Sequence, residues 1–400
     1  MTKELKKRKI VFISHASDLY GAPRCLLELL KKIDTNKYVP IIIFPADGPL
    51  INRINTLGIP TYIIPRKFSH DIPFVNGVFV SILNKLKNIK CIIRYVLKLT
   101  LFIFKQKPDL IYVNTLAHCS PLIASKILRI PILLHMHEPK SYVSYNSIGG
   151  KLRSFAVLYL PNQFICVSKA TKNLLIDKGI PDKKITVVYN GVNTEEFKPF
   201  EEMRQKKRKE LGANDANVLV GFIGQIVSRK GIEEFLEAAS MVREKEKKFK
   251  FIVVGGPLDA SFFKSRILPL YTFKKLEECL TFTGFREDVK SYLSAIDIFV
   301  NPSREEPFGL VNLEAMAMEK AIVATRTGGS LETIIDSETG YIVPVGDVLC
   351  LSKRILELTE DKELRNYFGK NSRKRVMQYF TVEQYYSGVQ TVINKVLKVE

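Results

Sequence analysis

Short apolar runs rich in β-branched residues recur along this chain, and helical spacing takes over between them. Ile10–Ser14, Val39–Phe44, Thr61–Ile64, Leu110–Val113, Ile132–His135, Phe164–Val167 and Thr186–Val188 form a first series. A run that is apolar at every position fits a strand covered on both faces, and such strands build parallel sheets. Arg24–Ile33 and Lys169–Lys178 carry helical spacing between them. After a polar stretch, Glu201 to Asn217, a second series follows: Val218–Ile223, Phe251–Val254, Leu280–Thr283, Ile298–Val300 and Ala321–Thr325, with helices at Gly231–Ala239 and Leu310–Met318. Alternation of this kind dictates α/β sheets with helices on both faces. Two such series predict two α/β lobes with a boundary near Pro199, and Thr381 to Leu397 reads as a final helix.

Charge narrows the ligand. The 400 residues hold 61 Lys and Arg against 41 Asp and Glu, a formal net charge of +20. Such an excess seeks anions: nucleic acid, acidic lipid headgroups or phosphorylated small molecules. There is no Trp, and the basic residues lack the aromatic interleaving of RNA-recognition surfaces, so nucleic acid is not the expected partner. The six cysteines, at 25, 91, 119, 166, 279 and 350, form no C-x-x-C pair. They read as reduced thiols rather than zinc ligands. The Ile10 to Ile13 run is too short for a signal-peptide core, and no stretch approaches a membrane span. The expected location is cytoplasmic, with attachment to the membrane surface open.

Parallel α/β sheets bind ligands beyond the carboxyl ends of their strands. Two facing lobes predict a shared cleft there. After the strand ending at Val300 comes Asn301-Pro-Ser-Arg-Glu-Glu306-Pro-Phe-Gly-Leu-Val-Asn-Leu-Glu314. Gly309 permits a tight turn and close backbone approach. A helix starting at Leu310 points free amides and a positive dipole end at that turn, a site for a diphosphate. Glu314, on the first turns of the helix, suits ribose hydroxyls, and Glu306 in the loop suits a hydroxyl-rich group such as a sugar. The plainer reading makes both acids solvated stabilisers of the helix start. Two acids bracketing a Pro-Phe-Gly turn directly after a strand weigh against it.

Glu306 and Glu314, with seven residues between them, resemble the E-x7-E signature of the retaining GT-B glycosyltransferases of family 4. Gly224-Gln-Ile-Val-Ser-Arg-Lys230-Gly231 is similar to that family's phosphate-binding loop. Thr283-Gly-Phe, Asp297 to Pro302, Gly328 to Glu332 and Gly340 to Asp347 fall in the family's order. Tyr20 to Arg24, and Asn190 to Asn193 with Phe197, match in the first lobe. The resemblance implies two Rossmann-like lobes in a GT-B fold: an acceptor-binding lobe over 1–198, a nucleotide-sugar-binding lobe over 199–375, and a terminal helix over 376–400 that returns to the first lobe. It implies transfer of a sugar from a UDP- or GDP-linked donor to an acceptor hydroxyl with retained anomeric configuration.

The roles follow from the same resemblance. Lys230 would neutralise the donor diphosphate, with Arg229 offsetting Gln225, which stands where the family usually has Arg. Glu306 would bind hydroxyls of the transferred sugar, and Phe308, Gly309 and Leu310 would offer backbone N–H groups. Glu314 would hold the ribose. Gly21 would let backbone approach the diphosphate. His137 would contact the transferred sugar, while His135, nearer the strand, reads as structural. Glu306, His137 and Lys230 form the catalytic set. No Asp-x-Asp clamp stands in a suitable loop, so neither a metal nor another cofactor is expected.

Residues 72 to 108 contain no acid and seven bases. Helical spacing groups Lys87, Arg94, Lys98 and Lys105 on one face, and Ile89, Ile92, Ile93, Val96 and Ile103 on the other. A basic amphipathic helix fits an anionic membrane surface, and an ordinary Rossmann helix with a solvated Lys face fits too. With the net charge, the segment favours a peripheral enzyme acting on a lipid-linked or envelope polysaccharide glycan. The competing readings are a sugar-nucleotide epimerase on the same fold and a non-catalytic glycan-binding relative.

Overall fold

The computed structural model describes residues 6–66, 78–115, 119–138, 155–245 and 249–399, with residues 78–89 described through their backbone alone. The chain divides into two compact units, Met1–Val188 with Tyr385–Glu400, and Tyr189–Gln384.

The first unit is built on a seven-stranded sheet in the order β3-β2-β1-β4-β5-β6-β7. Its strands are β1 (Arg8–Ser14), β2 (Tyr38–Phe44), β3 (Thr61–Ile63), β4 (Leu110–Asn114), β5 (Ile132–Met136), β6 (Gln163–Cys166) and β7 (Ile185–Val187). Every pairing is parallel. Between them run α1 (Gly21–Lys32), α2 (Pro49–Asn55), α3 (Val78–Gln106), α4 (Ser120–Ile127) and α5 (Lys169–Ile176). Apart from the edge strand β3, whose Tyr62 and Ile63 are exposed, the strands are largely buried, as their unbroken apolar runs require. The chain reverses its direction of growth between β1 and β4, and there Ser14 pairs with Asn114.

The second unit holds a six-stranded parallel sheet in the order β10-β9-β8-β11-β12-β13. Its strands are β8 (Val218–Ile223), β9 (Phe249–Val254), β10 (Leu280–Gly284), β11 (Ile298–Asn301), β12 (Ala321–Thr325) and β13 (Tyr341–Val343). The helices that matter below are α6 (Glu201–Glu210), α7 (Ile232–Lys245), α8 (Val289–Ala295), α9 (Leu310–Ala317), α10 (Gly328–Thr333), α11 (Val348–Glu360) and α12 (Lys362–Tyr379). The switch of strand order falls between β8 and β11. A last helix, α13 (Val382–Leu397), starts in the second unit and continues into the first.

Two boundaries differ from those read in the sequence. The first unit ends at Val188 rather than 198, because Val192 bridges to Thr381, and Phe197, buried, accepts from Arg373 Nη1 at 3.2 Å. The return begins at Tyr385 rather than 376, because α12 packs on α9 and β12 inside the second unit. The charged run after Glu201 is part of the second unit. It forms α6, whose Arg204 and Arg208, one turn apart, reach Asp297 at 2.6 and 2.9 Å.

The faces of α3 also differ. Tyr95, Leu99 and Ile103 enter the core of the first unit, whereas Ile93 is exposed. The β3 edge and its neighbours decide which face is covered, with Tyr62 meeting Phe102 edge-on at 4.8 Å. Residues 72–77 and the side chains of Lys85, Lys87 and Ile89 lie outside the described residues. No helix among the described residues is long and apolar enough to cross a membrane.

Candidate active site

In the second unit, two loops leave adjacent strands at the switch point. β8 ends at Ile223 and runs through Gly224 and the partly buried Gln225 into a 3-10 turn, Ser228–Lys230. β11 ends at Asn301 and runs into the Pro302–Gly309 loop. Backbone joins the two: the N–H groups of Arg304 and Glu305 both donate to the Arg229 carbonyl, at 2.8 and 3.4 Å. Gly231 adopts φ +71°, and a Cβ there would stand 1.9 Å from the Pro302 carbonyl oxygen, so only glycine permits this approach. The result brings Lys230 Nζ onto Glu306 Oε2 in a hydrogen-bonded ion pair. The cation and the acid, 76 residues apart in sequence, converge at one point.

The turn that follows is fixed from below. Gly309 caps α9 at φ +89°. Phe308 is buried, stacked on Tyr189 at 5.6 Å and edge-on to Phe380 at 5.9 Å. Gly329 sits under it, where a Cβ would meet the Phe308 Cα at 2.2 Å, and the Gly329 N–H donates to the Glu306 carbonyl at 3.0 Å. The Phe308 ring therefore holds the turn, which leaves only its backbone for a ligand. Leu310 opens α9 and is partly buried. Glu314, one turn further on, is 1 % exposed. Arg229 is partly buried beside Lys230.

In the first unit, the sequence-predicted residues also gather at the switch point. His137 follows β5, and its Nε2 lies 3.2 Å from Asn114 Oδ1. Asn114 Nδ2 in turn donates to the Ala22 carbonyl at 3.0 Å, beside Gly21 at the exposed start of α1. One side chain thus ties the histidine to the glycine turn. A Cβ on Gly21 would meet nothing within 4 Å, so packing does not demand a glycine there. Burial first, and then His15, lowers the His137 pKa far below the ordinary imidazole value, which keeps the ring neutral at pH 7. His135 is fully buried, with Nδ1 at 2.6 Å from the Tyr112 hydroxyl, and its ring lies tilted against that of His137 at 4.0 Å between centroids.

Comparison with known proteins fits this arrangement. The family profile described as Glycosyltransferase Family 4 matches residues 19–196, and that described as Glycosyl transferases group 1 matches residues 203–375. The chain belongs to the family 4 glycosyltransferases. A capsular polysaccharide biosynthesis glycosyltransferase, CapM, of Staphylococcus aureus is 26% identical over 98% of this chain and 99% of its own. An N,N'-diacetylbacillosaminyl-diphospho-undecaprenol alpha-1,3-N-acetylgalactosaminyltransferase of Campylobacter jejuni is 27% identical over 93% of this chain and 94% of its own. Among solved structures, HepE of Anabaena in complex with UDP-glucose superposes with a TM-score of 0.83 at 24% identity, covering 97% of this chain and 99% of that one. Its likeness establishes the GT-B fold.

Sequence reasoning missed three residues of the glycosyltransferase. Arg304, two positions before Glu306, donates from Nε to Glu234 Oε1 at 2.6 Å, pairs with Glu233 at 3.6 Å and bonds Ser228 Oγ, so it pins the Lys230 turn to α7. Asn114 and His15 complete the first-unit cluster. All three lie within a few residues of a strand's carboxyl end, and that position was the available signal. Asp297, inside a motif shared with the family, stands at the opposite, amino end of β11. Burial raises its pKa, but Arg204 and Arg208 outweigh that and lower it, and its carboxylate also accepts from Leu219 N–H at 2.8 Å. Its part is structural.

Proposed function

We propose that the enzyme transfers a sugar from a UDP- or GDP-linked donor to a hydroxyl of a lipid-linked or envelope polysaccharide glycan, with retained anomeric configuration. One observation carries this reading: the Lys230–Glu306 pair at the switch point of the second sheet, beside the Gly309 turn that opens α9. A diphosphate needs a cation and fixed amide donors, and a sugar needs a carboxylate to accept from its hydroxyls. Support comes from the capsular and undecaprenol-linked substrates named for the two relatives, and from the UDP-glucose held by HepE.

On this reading Lys230, helped by Arg229 and Gln225, receives the diphosphate together with the N–H groups of Phe308, Gly309 and Leu310. Glu306 leaves Lys230 to accept from the sugar, and Glu314 takes the ribose. The bond between the anomeric carbon and the diphosphate oxygen breaks, a bond to the acceptor oxygen forms on the same face, and the acceptor proton passes to the departing diphosphate. Lys230 and the amides stabilise the charge that develops there, so the step calls for neither a metal nor another cofactor. For His137, neutral, the role proposed is contact with the transferred sugar, and for Gly21 it is close approach of backbone to the diphosphate. The reaction takes place at the cytoplasmic face of a membrane.

Two measurements test the reading. UDP or GDP should raise the melting temperature of the wild-type protein by mass action. Glu306→Ala should keep that shift and lose transfer by roughly 100-fold or more. Wild-type turnover in the variant removes Glu306 from the site.

A further inference from the structure

We propose that α3 docks the enzyme on an anionic bilayer by seating Ile93, Leu97, Leu101 and Phe104 among the lipid headgroups. The proposal deepens the reading of a lipid-linked acceptor and rests on it for its purpose. The surface itself stands on α3 alone.

These four side chains are 53, 56, 62 and 63% exposed. Steps of four, four and three residues set them in one stripe along the helix. The helix cannot turn that stripe inward, because Tyr95, Leu99 and Ile103 on its other side are fixed in the core. Water therefore faces a continuous row of large apolar groups, which a solvated helix would not carry.

The flank of the stripe identifies the occupant. Arg94, Lys98 and Lys105 are exposed beside it, Lys90 is exposed at its amino-terminal end, and residues 72 to 108 contain no acid. Helical geometry places Arg94, Lys98 and Lys105 along one border of the apolar row. Their aliphatic stems lie along apolar surface while the charged ends reach outward to lipid phosphates. An apolar face bordered by cations is the form of a helix lying in the plane of an anionic interface, with burial of about 5–10 Å. The stripe is interfacial rather than spanning, since no described helix is apolar enough to cross. A partner protein would meet the same cations, but an acid-free border next to a one-sided apolar row favours a sheet of phosphates.

The absence of Trp from the chain makes the test direct. Phe104→Trp places a sole indole at the end of the stripe. With vesicles containing phosphatidylglycerol, its emission should shift to the blue and be quenched by lipids brominated high on the acyl chain. Combined Arg94→Glu and Lys98→Glu should cut partitioning at low salt by roughly tenfold or more. Replacing Leu97 and Leu101 by Ser should abolish the blue shift, with melting curves confirming that the variants fold. Emission that ignores vesicles, or answers phosphatidylcholine equally, overturns the proposal. A shift that follows protein concentration without lipid also overturns it, because two copies then cover the stripe. The UDP-induced melting shift, measured on the same samples, separates the two readings: docking can fail while that shift persists, and the shift can be absent while docking stands.

Discussion

At the scale of single residues, the sharpest contrast lies between two lysines of the second unit. Lys230 is partly exposed and held by the Glu306 carboxylate. Lys320 is buried, with Nζ donating to the Ser294 carbonyl at 2.9 Å. Burial first, and then the nearby Arg204, push its pKa down to about 7 although Asp297 pulls the other way. The unfolded chain keeps the ordinary ammonium value, so above pH 7 it binds a proton that the folded chain has released. Stability therefore rises with pH across that window, and the penalty is full below the folded pKa. Relative to Lys320→Met, the wild type should gain roughly 2 kcal/mol between about pH 7 and about pH 9, read from urea unfolding at both values. A gap that does not change with pH would show that Lys320 stays charged in the fold. Neither role could be told from composition, since a lysine in a sequence carries no mark of its burial. Lys230 was legible only because its motif brought a position with it.

At the scale of elements, the loops at the second switch point behave as one piece. The Ser228–Lys230 turn and the Pro302–Gly309 loop share backbone hydrogen bonds, the Arg304 fork and the Gly231 approach. Gly231→Ala adds a Cβ both at positive φ and against the Pro302 carbonyl. It should destabilise the unit by more than about 1 kcal/mol and lower kcat/KM by displacing Lys230 from Glu306. An alanine variant with wild-type melting and turnover would separate the ion pair from the loop contact. The long strands were legible because a strand covered on both faces is apolar at every position. β13 was missed although β3 and β7, equally short, were legible, because its three residues lie inside the Gly340 to Asp347 segment, which reads as a motif and not as a strand. The two faces of α3 were misassigned for a different reason. Helical spacing sorts residues into arcs, and α3 has two apolar arcs, of which only tertiary packing buries one.

At the scale of the molecule, the end of the chain completes the first unit. Tyr385, Val389, Val392 and Ile393 of α13 are buried. Tyr385 lies against His135 at 6.0 Å, Tyr38 bonds Asn394, and the Tyr386 hydroxyl accepts from Asp34 N–H at 3.2 Å. A chain ended at Gln384 should lose on the order of 5 kcal/mol from the first unit. Calorimetry should show that transition moved down or lost while the second unit still melts near its own temperature. An unchanged first transition would mean that α13 is dispensable. The amino-acid order by itself determined the class of fold, the two sheets, and the loops after β8 and β11, because burial patterns and turn residues are local properties of a chain. It supplied the E-x7-E pair and the lysine for the same reason. Only the tertiary structure decided that Lys230 meets Glu306, that Asn114 ties His137 to the Gly21 turn, and which apolar row of α3 remains outside. Those outcomes depend on groups tens of residues apart reaching one place, and the distances between them are fixed by how the strands are ordered in the sheets rather than by their spacing in sequence.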